Sequence, residues 1–272
     1  MSFVFTLLAP IFGAFLYGFE RVLRARMQQR KGPPLMQPFY DAFKLLQKKT
    51  LIVHPMHSLF GVFHFFALWV ALGAVFFGLN LLYIVFLHLF ALIFLVMGGF
   101  SARSVFSNIG ANRELLALVA YEPVLILLAI GFYLKTGSFE ISEIIKNGEY
   151  LSSMFLLFLS LLIIMPIKLK KSPFDVTEAH QEIAGGAEIE YSGVFYEFLY
   201  ASRFLEYIFV YALVFLFGGD NFWLGAILAI MTFFIINLID NSTARVKTKD
   251  MLFVIYALAI PLAILNIIYL AV

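Results

Sequence analysis

The chain has no cysteine among its 272 residues, and only 13% of its residues are charged. Without thiolates it forms no disulfide and holds no iron–sulfur cluster through cysteine. If the protein works in a redox system, other chains must therefore carry the electrons. The sequence also lacks a phosphate-binding glycine loop, a nucleophile elbow and a nucleic-acid-binding module, so we expect no partner of the nucleic-acid class.

Long apolar runs take up most of the chain instead. Hydrophobic residues make up 62% of it, and the mean hydropathy is +0.95. Runs of about 20 apolar residues, the length that a membrane-spanning helix needs, recur throughout. We therefore predict an all-α integral membrane protein that forms a single multi-span domain over 1–272. Its eight predicted transmembrane helices lie at 2–19, 60–79, 81–100, 114–134, 151–168, 200–218, 222–240 and 251–271.

The basic residues indicate how these spans are oriented. With eight spans, 17 of the 19 lysines and arginines fall on one side, in the loops after the odd-numbered spans. Lys and Arg favour cytoplasmic loops, so the pattern predicts a multi-pass protein of the cell membrane with both termini extracytoplasmic. The predicted cytoplasmic loops cover approximately 20–59, 101–113, 168–199 and 241–250.

The first of these loops contains a short amphipathic pattern. After Pro38, the residues Phe39, Ala42, Phe43 and Leu46 recur at helical spacing, which predicts a helix lying on the membrane surface or against a partner. The basic run before it is either a topology signal alone, with side chains that reach the interface, or a docking surface for a soluble subunit. The docking candidates are Arg21, Arg24, Arg26, Arg30, Lys31, Asp41 and Lys44.

A carboxylate lies well inside the fourth predicted span. Glu122 follows Glu114 by eight residues, so a helix presents both on nearly the same face. Ionisable residues inside a membrane are costly and usually functional, which makes Glu122 a candidate ion carrier. The alternative is a structural carboxylate paired with Arg113 or Arg103.

The densest acidic segment follows the fifth span, where five carboxylates lie within 16 positions. If 174–183 is helical, Asp175, Glu178 and Glu182 share one face and would titrate as a set. The alternative is an ordinary solvated loop. The candidates for ion translocation and coupling are Glu122, Asp175, Glu178, Glu182, Glu188, Glu190, Glu206, Arg113 and Glu114.

Five motifs occur in order along at least the first three quarters of the chain. They are Glu20-Arg21 with Arg30-Lys31-Gly32-Pro33, Gln37-Pro38 with Asp41 and Lys44-Leu45-Leu46, Arg113 with Tyr121-Glu122, Ser172-Pro173-Phe174-Asp175 with Glu178-Ala179, and Glu190-Tyr191-Ser192-Gly193. Together they resemble the eight-span membrane subunit of respiratory complex I and its homologues in membrane-bound nickel–iron hydrogenases. The step Ala179-His180-Gln181-Glu182 looks like the hydrogenase branch, as does Pro34 where complex I subunits typically have Asn.

The resemblance implies a non-catalytic membrane anchor with no cofactor of its own. Its cytoplasmic loops would dock hydrogenase-like large and small subunits, which carry a nickel–iron or related site and iron–sulfur clusters. Redox changes there would act on the acidic residues and move H⁺ or Na⁺ through neighbouring antiporter-like subunits. Three alternatives stay open: a quinone-binding subunit of complex I, a stand-alone secondary ion transporter, and a structural anchor with inert acids.

Overall fold

The computed structural model describes residues 2–148 and 150–271, and within them the chain is helical without any β-strand. The helices, numbered in chain order, are α1 (Ser2–Met27), α2 (Gln37–Gln47), α3 (Pro55–Phe76), α4 (Leu81–Ser101), α5 (Val105–Thr136), α6 (Ile141–Lys146), α7 (Phe155–Lys168), α8 (His180–Ile183), α9 (Gly193–Phe215), α10 (Phe222–Ser242), α11 (Thr248–Val254) and α12 (Ile260–Ala271). A π-helical turn at Ile255–Ala259 joins α11 to α12. The predicted all-α class is confirmed.

Seven long spans and one short apolar helix stand at the eight predicted positions. The long spans are α1, α3, α4, α5, α9, α10 and the continuous pair α11–α12. Helix α7 has only 14 residues. It is therefore about 21 Å long, less than the ~30 Å of a bilayer's hydrocarbon core. The chain that follows α7 thus starts at membrane depth rather than at the surface.

Local sequence signals explain where the helices begin and turn. The side chain of Asn80 caps α4 by accepting hydrogen bonds from the backbone N–H groups of Leu82 and Tyr83, at 3.0 and 3.3 Å. Gly78 has a φ of +72°, which a residue without Cβ adopts without strain. The tight connection predicted at 78–80 is therefore confirmed.

Two predicted loop segments have a different structure. Helix α5 begins at Val105, inside the stretch 101–113 that the sequence predicted as a loop, so Arg113 and Glu114 lie on a helix. The predicted helix over 174–183 is wrong, because only His180–Ile183 form a helical turn and the residues before them form turns. Tertiary ion pairs pull the acidic side chains of this segment in different directions, and local helical spacing does not survive them.

Helices α5 and α9 form the centre of the bundle. In their most apolar stretches 61% and 67% of the residues are buried, against 22% in α1 and 28% in α11–α12. The outer helices present large apolar side chains outward, such as Phe3, Trp223 and Tyr269. This is the arrangement expected where lipid or neighbouring membrane subunits surround a helix bundle.

The loops that the basic residues marked as cytoplasmic share one face of the bundle, called the basic face below. Arg24 contacts Asp240 at 2.5 Å, and Arg113 contacts Glu182 at 2.8 Å, which brings four predicted loop regions together. On the opposite face, the N–H of Leu81 donates to the carbonyl of Phe139 at 2.7 Å. The predicted partition of the loops between two faces is therefore confirmed.

The amphipathic helix predicted in the first loop is α2. Pro38 lies in its first turn, and Phe39 packs on Phe15 with ring centroids 5.0 Å apart. Phe43 and Leu46 remain 62% and 48% exposed. The apolar stripe is thus divided between the bundle and the surroundings, as in a helix that lies at a membrane interface.

The long segment between α7 and α9 is held inside the bundle by Tyr191. The Tyr191 hydroxyl donates to the backbone carbonyl of His57 at 2.9 Å, and the His57 Nδ1 lies 2.8 Å from the carbonyl of Gly98. The tyrosine ring occupies space that a Cβ on Gly61 or Gly98 would fill. Small residues at these two positions therefore let the segment fold back between α3 and α4 and cover the cavity described next.

Candidate functional site

A cavity of about 260 Å³ opens on the basic face between α1, α3, α4, α5, α7 and α9. Its deep wall includes apolar residues such as Leu68, Leu92 and Ile167, but most of its polar lining is charged. Three groups of ion pairs line the cavity or lie directly behind its wall. Among the described residues no group of three or more His, Asp or Glu side chains is placed to hold a metal ion.

The first group, the loop cluster, consists of Glu114, Lys170, Glu178, Glu188 and Arg203. Lys170 Nζ lies 3.1 Å from Glu178, 3.2 Å from Glu188 and 3.8 Å from Glu114. Arg203 contacts Glu178 at 3.0 Å and Glu188 at 2.6 Å. All three carboxylates are buried. Two cations thus face three acids, which leaves one negative charge without a cation when every acid is ionised.

The two loop carboxylates of this cluster respond to it in opposite ways. Burial alone would raise the pKa of Glu188, but the charges of Arg203 and Lys170 outweigh it and lower the pKa to about 2. Burial raises the pKa of Glu178, and the negative charge of Glu188 adds to that shift, against the attraction of Arg203 and Lys170. A proton taken up by the pair therefore resides on Glu178.

The second group, the α1 cluster, consists of Glu20, Arg24, Lys171 and Asp240. Glu20 is 1% exposed and contacts Arg24 at 2.8 Å and Lys171 at 2.5 Å. It also accepts a hydrogen bond from the hydroxyl of Tyr207. With Asp240 bound to Arg24, two cations face two acids. The balanced α1 cluster ties the chain after α7 to α1 and α10.

The third group, the inner cluster, lies deepest and consists of His88, Glu122, Lys168 and Glu206. The His88 Nε2 atom is 2.9 Å from Glu206, and Lys168 Nζ is 3.1 Å from Glu206 and 3.2 Å from the same ring nitrogen. Glu122 is 4% exposed, and neither of its carboxyl oxygens has a hydrogen-bond partner among the described residues. Its Oε1 lies 3.5 Å from His88 Nδ1, which is long for a hydrogen bond.

The loop cluster forms a wall between the cavity and a second hollow. This hollow, of about 340 Å³, lies on the outer side of the cluster and is lined by Lys48 and Lys49 at the end of α2. Both spaces share His180, Glu188 and Arg203. A molecule that docks on the basic face would therefore lie one layer of side chains from the cavity.

The structure brings together some of the predicted coupling residues and separates others. Glu114, Glu178 and Glu188 meet in the loop cluster, and Glu122 and Glu206 meet in the inner cluster. The predicted set on one helical face is wrong for the other two acids: Asp175 pairs with Arg245 at 2.7 Å, and Glu182 pairs with Arg113 at 2.8 Å. Glu190 is half-buried in the turn before α9.

The predicted docking residues also divide into two groups. Arg21 forms an ion pair with Asp41 at 2.8 Å, which fixes α2 to α1, and Arg24 turns inward to the α1 cluster. The remaining four are exposed on the basic face: Arg26, Arg30, Lys31 and Lys44. The structure thus leaves these four side chains accessible to a partner, while the other three hold the fold together.

Sequence reasoning missed several residues that make up the site. The lysines after α7 counted only as topology signals, although Lys168 and Lys171 are nearly fully buried. His88 was weighed only as a metal ligand and set aside. A usable signal was present in both cases, because an ionisable residue inside an apolar span is costly unless it has a partner. The missed residues are Glu20, His88, Lys168, Lys170, Lys171 and Arg203.

Comparisons with known proteins give one consistent result. The family model described as NADH dehydrogenase matches residues 1–271. A subunit of the NADH-quinone oxidoreductase of Thermomicrobium roseum is 27% identical over 97% of this chain and 92% of the relative. The subunit of the same name from Dehalococcoides mccartyi is 32% identical over 79% of this chain and 67% of the relative. A chain in the structure of the membrane-bound sulfane sulfur reductase, an archaeal respiratory membrane complex, has the same fold, with a TM-score of 0.86 at 20% identity and coverage of 99% and 98%.

Proposed function

Since the chain belongs to the NADH dehydrogenase family, we propose that it anchors the electron-transfer arm of a respiratory complex at the membrane and couples redox chemistry in that arm to ion translocation. The chain contains no cysteine. Electron carriers bound through thiolates must therefore lie in other subunits. The partners would be hydrogenase-like large and small subunits with a nickel–iron or related site and iron–sulfur clusters.

The basic face is the proposed docking surface for that arm. It carries the four exposed cations Arg26, Arg30, Lys31 and Lys44. The hollow beside α2 adds Lys48 and Lys49 next to the loop cluster. On the positive-inside rule this face is cytoplasmic, so both termini of the chain would be extracytoplasmic in the cell membrane.

The observation that carries the coupling role is the excess carboxylate of the loop cluster. With two cations for three buried acids, the cluster changes its net charge whenever Glu178 gains or loses a proton. A change of charge in a docked redox partner would act on this proton through the wall that the two hollows share. The cavity then leads to Lys168 and Glu206, directly behind which lies Glu122. Antiporter-like neighbours would complete the ion path.

The test is Glu122→Gln in the native complex, reconstituted into vesicles. Glutamine keeps the shape of the side chain but cannot carry a proton. We expect electron transfer and assembly to remain and ion translocation to be abolished. Glu143→Gln is the matched control, because Glu143 lies at the opposite face in an exposed pair with Lys146. Normal translocation by the Glu122→Gln complex would remove Glu122 from the path.

A second candidate function is quinone binding in the cavity, which the names of the relatives favour. The deep apolar wall with Leu68, Leu92 and Leu95 would suit a hydrophobic ring. Against it stands the volume of about 260 Å³. Pockets that enclose drug-sized ligands run to about 300–1,000 Å³. Inhibition of electron transfer by a quinone-site inhibitor would favour this role; insensitivity would favour the role in docking and coupling alone.

A further inference from the structure

We propose that His88 is the proton-exchanging residue that links Glu122 to Glu206, so that protons cross the inner cluster through its imidazole ring. This inference deepens the proposed coupling role and rests on it. The ring lies between the two carboxylates, with Nδ1 toward Glu122 at 3.5 Å and Nε2 toward Glu206 at 2.9 Å. His88 is fully buried, so water does not compete for either nitrogen.

The geometry satisfies two protonation states of the cluster. In the first, Glu122 is protonated, Nδ1 is bare, and the Nε2–H group donates to the Glu206 carboxylate. In the second, Glu122 is ionised and accepts from Nδ1–H, while Nε2 is bare and Glu206 is protonated. The Lys168 ammonium lies 3.2 Å from Nε2 and 3.1 Å from Glu206, so it donates to whichever atom needs a proton donor.

The step between the two states balances in protons and in charge. The O–H bond of Glu122 breaks as the Nδ1–H bond forms, and the Nε2–H bond breaks as the O–H bond of Glu206 forms. Each state has one carboxylate and one ammonium, so the cluster is neutral before and after the step. This neutrality matters because an unbalanced charge in the membrane interior is costly.

The surroundings hold the ring in the orientation that this exchange needs. Phe209 stacks on the imidazole with centroids 4.4 Å apart and planes 9° apart. A rotation of the ring by half a turn about its bond to Cβ keeps the same plane, so the stack permits the flip that restores the starting tautomer. Tyr121 lies under Lys168, with the ammonium 4.8 Å from the ring centroid, and fixes the other end of the cluster.

Another histidine provides a matched control for a role in packing. His64 is also buried in the bundle and lines the same cavity. Its Nδ1 atom, however, is 2.7 Å from the backbone carbonyl of Ala91 and not beside a carboxylate. Replacing His64 therefore removes a ring of equal size from the same cavity without touching the proposed link.

The experiment compares His88→Gln, His64→Gln and Glu122→Gln in the native complex in vesicles. In His88→Gln the new amide would still donate to Glu206 but cannot take up and release a proton. We expect this variant to keep electron transfer and to lower the rate of ion translocation by about 100-fold, the scale of a lost acid–base group. His64→Gln should translocate normally, and of the two histidine variants only His88→Gln should change the pH profile of translocation.

Each other outcome has a defined meaning. Normal translocation in His88→Gln with loss in Glu122→Gln overturns the link through His88 and leaves the proposed function standing. Normal translocation in both overturns the coupling role of Glu122 together with the link. Equal losses in His88→Gln and His64→Gln show a packing effect and overturn the link. If His88→Gln does not assemble, Glu206→Gln takes its place, and normal translocation there overturns the link.

Discussion

The loop cluster allows a quantitative test of how burial controls its ion pairs. Arg203→Met removes the cation that lies 3.0 Å from Glu178 and 2.6 Å from Glu188, and it leaves three buried acids facing Lys170 alone. Removing one partner of a buried pair costs about 3–5 kcal/mol, because the remaining charge keeps its desolvation penalty. We therefore expect Arg203→Met to lower the free energy of unfolding by about that amount.

The charge-restoring double variant makes the reasoning sharper. Adding Glu188→Gln to Arg203→Met removes one charge of each sign and returns the cluster to its original net charge. Since the two side chains touch, their effects should not add, and the double-mutant cycle should give a coupling energy of about 2 kcal/mol. The unfolding of the purified chain in mixed micelles, followed by fluorescence of Trp69 and Trp223, measures each free energy.

An exposed pair with nearly the same separation serves as the control. Lys146 and Glu143 lie 3.0 Å apart, but their side chains are 67% and 44% exposed. Their cycle should give at most about 1 kcal/mol, because water screens the attraction. Equal coupling energies in the two cycles would refute the argument that burial, and not distance, sets the strength of the loop cluster. Additive effects of Arg203→Met and Glu188→Gln would refute the cluster itself.

Two further predictions follow from the pKa of Glu178 and the short helix α7. The folded-state pKa of Glu178 is raised from 4.5, so its contribution to stability is present below that value and is lost as the pH rises through the folded pKa. The unfolding free energy of the wild type should therefore fall relative to that of Glu178→Gln in titrations upward from pH 4.5; a parallel pH dependence contradicts this. Asn266→Leu should destabilise by about 2 kcal/mol in the same micelle assay, because the amide accepts from Leu157 N–H and donates to the Ser153 carbonyl, both at 2.9 Å inside the bundle. Ile264→Ala, at an exposed site on the same helix, is the control, and an equal loss there would contradict the prediction.

Much of the fold was predictable because a bilayer places strict demands on a sequence. A span needs about 20 apolar residues and must satisfy its own backbone hydrogen bonds, so its position is visible in composition alone. The limits of this reasoning appear at the helix ends, where α1 continues to Met27 and α5 starts at Val105. Polar residues extend these helices beyond the apolar run, and hydropathy does not detect that extension.

The candidate site was predictable only in part. Glu122 drew attention because a carboxylate inside an apolar span is costly, and it does lie in the inner cluster. The arrangement of the acidic segment after α7 was wrong, because a helical spacing of Asp175, Glu178 and Glu182 says nothing about distant cations. Arg245, Lys170 and Arg113 each take one of these acids and override the local pattern.

The amino-acid sequence by itself determined that this is a helical membrane protein, where its spans lie and which loops share a face. These properties depend on the cost of moving each residue from water into lipid, which is a property of local composition. Only the tertiary structure decided which charges meet. His88 and Glu206 are 118 positions apart and yet lie 2.9 Å from each other. Ion pairs form by proximity in space, and the packing of α4, α5, α7 and α9 creates that proximity.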